Sequence, residues 1–137
     1  MNILVDTCVW SEAFRRGLRS DSNPNSPFLR ELIREGRALM FGPIRQELLS
    51  GIRDRTQFEI LRDQLRAFPD LPLSAEDYEE AAALCNRCRA AGIQGSNTDF
   101  LICAAASRAQ AEIFTSDKDF QLFTKHARIK LFEPARS

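Results

Sequence analysis

The sequence contains no hydrophobic run approaching the roughly 18 consecutive apolar residues that crossing a bilayer requires. Its first residues, MNILVD, include no basic segment ahead of an apolar one, so no secretory signal peptide is predicted. We therefore expect a cytoplasmic protein that does not associate with a membrane. Lys+Arg and Asp+Glu both number 19, and this balance excludes the overall basic character of many nucleic-acid-binding proteins. A local basic rim around an acidic centre is not excluded.

Histidine and cysteine are also scarce. Histidine occurs only as His126, near the C-terminus, so histidine-based catalysis is not expected. The four cysteines are expected to be free thiols, as is usual in the cytosol. Cys85 and Cys88 have a zinc-like spacing, but they lie in a predicted helix with no second pair, which favours structural thiols. Cys8 has no histidine base nearby in the sequence, which argues against nucleophilic catalysis by this thiol.

Short apolar segments alternate with helical ones over a length typical of one domain. The predicted strands are 2–5, 38–41, 112–116, 129–132 and a short segment around 71–73. The predicted helices cover about 7–14, 28–35, 43–52, 54–68, 74–91, 99–109 and 120–125. Ser74 and Asp77 resemble an N-terminal capping box, although the usual partner is Glu or Gln. Strands that alternate with helices predict an α/β fold with a parallel sheet covered on both faces.

Carboxylates occur where this pattern places strand ends and helix starts. They are Asp6, Glu47, Asp99, Asp117 and Asp119. Because the carboxyl ends of parallel strands open on one edge of the sheet, we expect these side chains to meet there. A cluster of acids is unstable without a cation, since like charges raise one another's pKa. Mg²⁺ prefers oxygen ligands and binds one or two carboxylates directly, so the pattern predicts a magnesium site.

Most of these acids have a simpler interpretation when taken alone. Asp99 at a helix start can complement the helix dipole. Glu47 can be a solvated helix-face residue, and Asp119 can cap the helix that starts at Phe120. Asp6 is harder to explain in this way, because it directly follows an apolar Ile-Leu-Val run. The joint placement of the acids therefore carries the prediction.

Four segments of the chain resemble the PIN-domain ribonucleases in order and approximate spacing. They are LVDTCVW, RQELLSG, NTDFLICAAA and FTSDKDF. The small stand-alone chain is similar to the VapC toxins of bacterial toxin–antitoxin pairs, although the region 53–93 matches only in helical character. The resemblance implies a PIN-like three-layer α/β/α fold with a central, mostly parallel sheet of four to five strands. It also implies a single nuclease domain over residues 1–137.

The resemblance further implies a catalytic, metal-binding centre formed by Asp6, Glu47, Asp99 and Asp117, with Asp119 as an auxiliary acid. The implied activity is endonucleolytic cleavage of RNA that depends on Mg²⁺ or Mn²⁺. A metal-activated water that attacks phosphorus would leave a 5′-phosphate and a 3′-hydroxyl. Cys8 departs from the small polar residue that often follows Asp-Thr in this family, but it is not a family ligand.

Two partners follow from the same resemblance, namely a second copy of the chain in a homodimer and a VapB-type antitoxin. The antitoxin is expected to cover the first helices. The apolar residues that could line its groove, if they are not simply core, are Trp10, Phe14, Phe28 and Leu32. Candidate phosphate contacts for the RNA are Arg15, Arg16, Arg19, Arg45, Arg53 and Arg55, each of which is also compatible with a plain solvated surface.

Three other functions deserve comparison. A phosphotransferase of the haloacid-dehalogenase type requires a second aspartate two residues after the first, and Cys8 occupies that position. A receiver-like phosphoacceptor requires an acidic pair near the first strand end, which is absent. A catalytically idle PIN-like module that only binds RNA or protein would be expected to have lost one or more acids. All four acids are present, which favours an enzyme.

Overall fold

The computed structural model describes residues 1–16 and 24–134 of the chain. The strands in these residues are β1 (Ile3–Val5), β2 (Ala38–Leu39) and β3 (Glu112–Phe114). The helices are α1 (Thr7–Arg16), α2 (Ser26–Arg34), α3 (Gly42–Leu49), α4 (Arg55–Leu65), α5 (Ala75–Ala90), α6 (Asn97–Ala109) and α7 (Asp119–Phe123). None of the described helices has the combination of length and apolar character needed to cross a membrane.

The three strands form a parallel sheet in the order β2-β1-β3, with Leu4 paired to Leu39 on one side and to Ile113 on the other. Single parallel bridges extend the sheet at both edges, from Met40 to Asp70 and from Ile113 to Leu131. The predicted α/β fold, with helices in three-layer α/β/α arrangement, is confirmed. The two outermost predicted strands occur only as these bridges, because their flanking residues leave the ladder after one pair.

The central strand β1 is fully buried, as an apolar strand in a parallel sheet with covered faces should be. Its end is fixed by a hydrogen bond from the Asp6 amide to the carbonyl oxygen of Phe114, at 2.9 Å. The carbonyl oxygen of Asp6 then accepts from the amides of Val9 and Trp10 at 3.1 and 3.3 Å, so the first turn of α1 begins at this residue. The end of β1, the end of β3 and the start of α1 therefore meet at Asp6.

Two of the four residues predicted for an apolar partner groove belong to the core instead. Trp10 is fully buried, its indole Nε1 donates to the carbonyl oxygen of Val5 at 3.1 Å, and its ring packs on Phe68. Leu32 is also buried. Of the two interpretations that the sequence left open for these residues, core packing is confirmed and the partner groove is contradicted, because an apolar stripe at helical spacing packs on the sheet. Phe14 and Phe28 remain partly exposed.

The longest helix, α5, and its neighbour α6 begin with the same kind of cap. At α5 the carboxylate of Asp77 accepts from the amide of Ser74 at 2.9 Å, which confirms the predicted capping arrangement. At α6 the amide of Ser96 donates to Asp99 at 3.0 Å, and the amide of Asp99 donates to the Ser96 hydroxyl at 3.1 Å. In both helices aspartate at the third helical position replaces the longer glutamate of the usual capping box.

Candidate active site

Asp6 is the most deeply buried of the predicted site acids, with 5% of its surface exposed. One carboxylate oxygen, Oδ1, accepts from the amide of Thr7 at 2.7 Å. The other, Oδ2, accepts from the hydroxyl of Thr115 at 2.7 Å and from the thiol of Cys8 at 3.4 Å. These bonds fix the carboxylate orientation, because they engage both of its oxygens from two different elements of the fold.

Asp117 is joined to Asp6 through Thr115. The Thr115 hydroxyl that donates to Asp6 also accepts from the amide of Asp117, at 3.0 Å. The turn after β3 therefore folds back on the end of β1. Asp6 and Asp117, 111 positions apart in the sequence, are both hydrogen-bonded to the hydroxyl of Thr115. This is the first of the predicted convergences, and it depends on the parallel pairing of β1 with β3.

Glu47 is an exposed residue of α3, as its simpler interpretation expected. Its Oε1 nevertheless accepts from the hydroxyl of Thr7 at 3.3 Å. The amide of the same threonine donates to Asp6, so Thr7 connects Glu47 to Asp6 as Thr115 connects Asp117 to it. Glu47 thus lies at the edge of the same site.

Asp99 belongs to the capping box at the start of its own helix, with Ser96 as the cap, so the simpler interpretation of this residue also has a structural basis. Its side chain is half-buried, and burial raises the pKa of its carboxyl group. The bonds from Ser96 oppose this increase, whereas the negative charges of Asp6 and Asp117 add to it. The effect of those two charges indicates that Asp99 faces the same region as the other acids.

Asp119 is exposed and is the first residue of α7. Its amide donates to Oδ1 of Asp117 at 2.9 Å, so the backbone at this position helps to orient the Asp117 side chain. The helix cap lies one residue earlier, at Lys118. The alternative that Asp119 is the N-terminal cap was therefore wrong, and its role as an auxiliary acid stays a prediction.

Among the residues that the structure describes, no cationic side chain is bonded to any of the four site acids. None of the ion pairs formed between described side chains includes Asp6, Glu47, Asp99 or Asp117. Within residues 1–16 and 24–134, no three histidine, cysteine, aspartate or glutamate side chains are arranged as a ready group of metal ligands. Asp6, Glu47 and Asp117 are thus connected through the bonds of Thr7 and Thr115 rather than arranged as a closed coordination shell.

Cys8 lies in contact with this group. Besides donating to Asp6, its sulfur accepts from the hydroxyl of Ser116 at 3.2 Å. Burial raises the pKa of the Cys8 thiol, and the charge of Asp6 raises it further, although the bonds from Ser116 and Thr115 oppose the increase. The thiol form is therefore favoured, which is consistent with the expectation that this sulfur is not a nucleophile.

The arginines proposed for RNA binding separate into different groups. Arg45 is a structural residue: its guanidinium donates to Asp70 at 2.8 Å and to the carbonyl oxygens of Leu65 and Phe68 at 3.0 and 2.5 Å. These bonds engage its donors in joining α3 to the segment after α4, so they favour a structural role over the proposed phosphate contact. Arg53 is exposed, whereas Arg55 is exposed and pairs with Glu59.

The remaining proposed phosphate contacts involve three arginines near the end of α1. Arg19, and the side chains of Arg15 and Arg16, lie outside the described part of the structure.

Sequence reasoning missed the two threonines that hold the acids together. Thr7 directly follows Asp6, and Thr115 lies two residues before Asp117. Their only sequence signal is a hydroxyl residue next to an acid in "VDTC" and "FTSD", which is common in loops and helix starts. Their role depends on contacts across the sheet edge, so it became visible only in the folded chain.

The model of the PIN domain family matches residues 3–125, which is most of the chain. The chain belongs to the PIN-domain family. PIN domains are generally nucleases, so the chain belongs to a family of nucleases. This assignment gives no support to the haloacid-dehalogenase alternative.

Several solved structures share the PIN fold of this chain, and one of them is a toxin–antitoxin complex. FitAcB from Neisseria gonorrhoeae matches with 22% identity over 96% of both chains and a TM-score of 0.72. VapBC2 from Rickettsia felis, bound to a DNA fragment from its promoter, matches with 18% identity over 96% of this chain and 98% of that one, with a TM-score of 0.75. A Klebsiella pneumoniae toxin–antitoxin complex matches with 20% identity over 87% and 90%, with a TM-score of 0.64.

At these identities the solved structures confirm the fold of this PIN domain. No curated protein sequence matches the chain significantly.

Proposed function

We propose that this PIN domain is a VapC-type toxin that hydrolyses RNA phosphodiester bonds with the help of Mg²⁺ or Mn²⁺ and is inhibited by an antitoxin. The observation that carries the proposal is a chain of hydrogen bonds that runs Asp117–Thr115–Asp6–Thr7–Glu47. In addition, burial and the charges of Asp6 and Asp117 raise the pKa of Asp99. The bonded chain joins three acids from separate segments at one edge of the sheet, and Asp99, from a fourth segment, lies within range of the charges of two of them. The toxin–antitoxin complex among the structural relatives supports the biological setting.

The residues present fit a hard divalent ion. Asp6 and Asp117 are bonded to neutral donors and to no described cation, and Asp99 has a raised pKa because of burial and the charges around it. A cation would relieve that repulsion. Mg²⁺ keeps several waters and binds through one or two carboxylates, so it does not need three converging protein ligands in advance.

We assign the ion to the centre formed by Asp6, Glu47, Asp99 and Asp117, in which one or two carboxylates would bind it directly and the others would orient its waters. Asp119 is assigned as an auxiliary acid. When bound, Mg²⁺ or Mn²⁺ supplies an activated water at neutral pH and stabilises charge on the phosphate. The protein contributes orientation: Thr115 and Thr7 hold the Asp6 carboxylate from both sides, and the Asp119 amide holds Asp117. Hydrolysis by water attack on phosphorus leaves a 5′-phosphate and a 3′-hydroxyl.

The activity is tested with the purified chain, free of any antitoxin, and single-stranded RNA. Cleavage should require Mg²⁺ or Mn²⁺ and stop on addition of EDTA. Asp6→Asn and Asp117→Asn should retain the fold, judged by circular dichroism, and lose cleavage. Asp63→Asn is the matched control, because Asp63 is an exposed acid of α4 outside the site. Full activity of both site variants would refute the assignment, and inactivity of the wild-type chain would favour the idle PIN-like module.

The partners are tested separately. A short open reading frame beside the gene is the expected source of the antitoxin, and its product should co-purify with the chain and suppress cleavage. The homodimer is checked by light scattering of the purified chain. A mass equal to one chain at all concentrations would contradict the dimer without affecting the nuclease assignment.

A further inference from the structure

A cleft of about 630 Å³ opens beside the acidic centre, between α1, the end of α3 and α4. Its lining includes Thr7 and Glu47, which also belong to the bonded group around Asp6. The cleft is therefore continuous with the candidate active site. A part of the substrate that fills this cleft would therefore lie next to the phosphodiester bond that the candidate site would cleave.

The wall contributed by α4 combines amide and aliphatic side chains. Gln57, Ile60 and Gln64 lie on one face of this helix, at spacings of three and four residues. Both glutamines are exposed, and Ile60 exposes 49% of its surface, which is unusual for a large apolar residue. Phe14 lines the cleft from α1. Apolar surface with a few polar groups is the usual composition of a pocket for an organic ligand.

The distribution of charge indicates which part of a ligand this cleft can take. Among the described residues that line it, Glu47 alone carries a formal charge, and it is negative. A phosphate is therefore repelled from the interior. Cationic residues flank the lining instead: Arg53 follows Ile52, and Arg55 begins α4 two residues before Gln57. An RNA backbone passing these arginines would direct an uncharged base inward.

We propose that this cleft binds an unpaired base of the RNA beside the cleaved bond and so determines which sequence is cut. The inference rests on the proposed ribonuclease function and adds a specificity site to it. Phe14 and Ile60 contact the face of the base, as in other modules that read single-stranded RNA. The amides of Gln57 and Gln64 each offer a donor and an acceptor, which suits hydrogen bonding to a base edge.

A segment of a partner protein is the competing occupant. The apolar face of a partner helix would cover Ile60 and Phe14 but leave the two glutamine amides without partners, and burying an unpaired amide is costly. The side-chain amides of Gln57 and Gln64, on either side of Ile60, therefore favour an RNA base over a partner helix as the occupant of the cleft. The same glutamines provide a variant that tests the choice, because both are exposed and their replacement leaves the core intact.

The first experiment measures sequence preference. The wild-type chain and the double variant Gln57→Leu/Gln64→Leu are each given a pool of randomised single-stranded RNA, and the cleaved ends are sequenced. The wild type should prefer one base at a position near the cut. In the double variant the ratio of preferred to other bases should be about tenfold lower, as expected for a lost base-edge contact. Asn86→Leu, which replaces an exposed amide on α5 outside the cleft, should keep the bias. Because the bias is counted per cut, a change in total rate does not affect it.

The second experiment does not need cleavage. The Asp6→Asn variant is photo-crosslinked to single-stranded RNA containing 4-thiouridine, and the crosslinked peptides are identified by mass spectrometry. Crosslinks should occur in α4 between residues 57 and 64 or at Phe14, and the double variant in the same background should lose them.

The outcomes separate this inference from the proposed function. Cleavage by the wild type with the same bias in the double variant, and without crosslinks in the cleft, would overturn the inference and leave the nuclease intact. Crosslinks in the cleft without any cleavage would support base binding and refute the nuclease. Absence of both would refute both. If the double variant loses an antitoxin but keeps the base bias, the cleft belongs to the protein partner and the inference is wrong.

Discussion

The hydroxyl oxygen of Thr115 lies 2.7 Å from Oδ2 of Asp6, across 109 positions of the sequence. The same oxygen accepts from the amide of Asp117 at 3.0 Å. The Thr115 side chain thereby orients the carboxylate of Asp6 at the end of β1. It also fixes the turn after β3 that carries Asp117. The precision of the candidate site depends on a residue that contributes no charge to it.

Replacing this threonine by valine tests that role while keeping the size of the side chain. Thr115→Val should retain the fold and reduce RNA cleavage by about 10- to 100-fold, as is typical when a residue that orients a metal ligand is lost. It should also raise the Mg²⁺ concentration needed for half-maximal activity, because Asp6 loses a bond that positions it. Initial rates over a Mg²⁺ titration measure both effects.

Thr124→Val is the matched control for this prediction. The Thr124 hydroxyl donates to the carbonyl oxygen of Gln121 at 2.7 Å, at the exposed end of α7. This change removes a similar hydrogen bond without touching any acid. Equal Mg²⁺ dependence of the two variants would show that Thr115 does not position Asp6.

Gly95 is predicted to be essential for the loop that precedes Asp99. A Cβ atom at this position would lie 2.8 Å from the Phe123 ring and 2.9 Å from the Phe100 ring, closer than packed atoms approach. The two rings are themselves packed at 5.2 Å between centroids, so they have little freedom to move aside. Gly95→Ala should therefore lower the free energy of unfolding by about 1–3 kcal/mol, the usual cost of overpacking.

The measurement is urea or thermal unfolding followed by circular dichroism, with Gly42→Ala as the control. A Cβ at Gly42 meets no atom within 4 Å, so this variant should be as stable as the wild type or slightly more stable. Gly95→Ala should also cleave RNA more slowly, because the displaced loop carries Ser96, which orients Asp99. Wild-type stability of Gly95→Ala would contradict the close packing.

Arg45 and Arg53 are predicted to have different roles, although both flank the helix that carries Glu47: Arg45 stabilises the fold, whereas Arg53 binds RNA. Arg45→Gln should destabilise the fold by about 1–3 kcal/mol, because its guanidinium joins Asp70 to two backbone carbonyls. Arg53→Gln should leave the stability unchanged and weaken RNA binding, with a shallower dependence of affinity on salt. Unfolding curves and filter binding of RNA at several salt concentrations test the pair. An equal loss of RNA binding with no loss of stability in Arg45→Gln would contradict its structural role.

The sequence predicted the parts of the site that follow from strand ends. Asp6 and Asp117 could be predicted because each follows an apolar segment. Apolar residues indicate a buried parallel strand, and an acid after them indicates the exposed end of that strand. The capping pair Ser74 and Asp77 was visible for the same reason, since capping is local.

What depended on contacts between distant segments was not predictable. The sequence left both a partner groove and the core open for Trp10, and both an RNA contact and plain surface open for Arg45. In the fold, the indole donates to β1 and the guanidinium binds carbonyls 20 and 23 residues away. The bridging roles of Thr7 and Thr115 escaped for the same reason. Residue type indicates what a side chain can bond to, and the fold determines which partner is within reach.

Asp77 gives a prediction about acid stability that is independent of the site. Its carboxylate is buried and accepts from Arg108 at 2.7 Å and from the Ser74 amide at 2.9 Å. Burial alone would raise its pKa, but the Arg108 and Ser74 bonds outweigh burial and hold the pKa below its ordinary value of 3.8. A folded-state pKa below the unfolded one means that ionised Asp77 stabilises the fold above about pH 4. That contribution is lost as the pH falls through the folded value.

Asp77→Asn should therefore be less stable than the wild type at pH 7, and its stability should fall less steeply on acidification because the titrating group is gone. Unfolding free energies from urea titrations between pH 7 and pH 2.5 measure the two slopes. Arg108→Gln should also flatten the slope, since it removes the partner that lowers the pKa. Asp63→Asn, an exposed acid, should follow the wild type. Parallel curves for Asp77→Asn and the wild type would show that Asp77 does not titrate with folding, and the capping bond alone would then account for its burial.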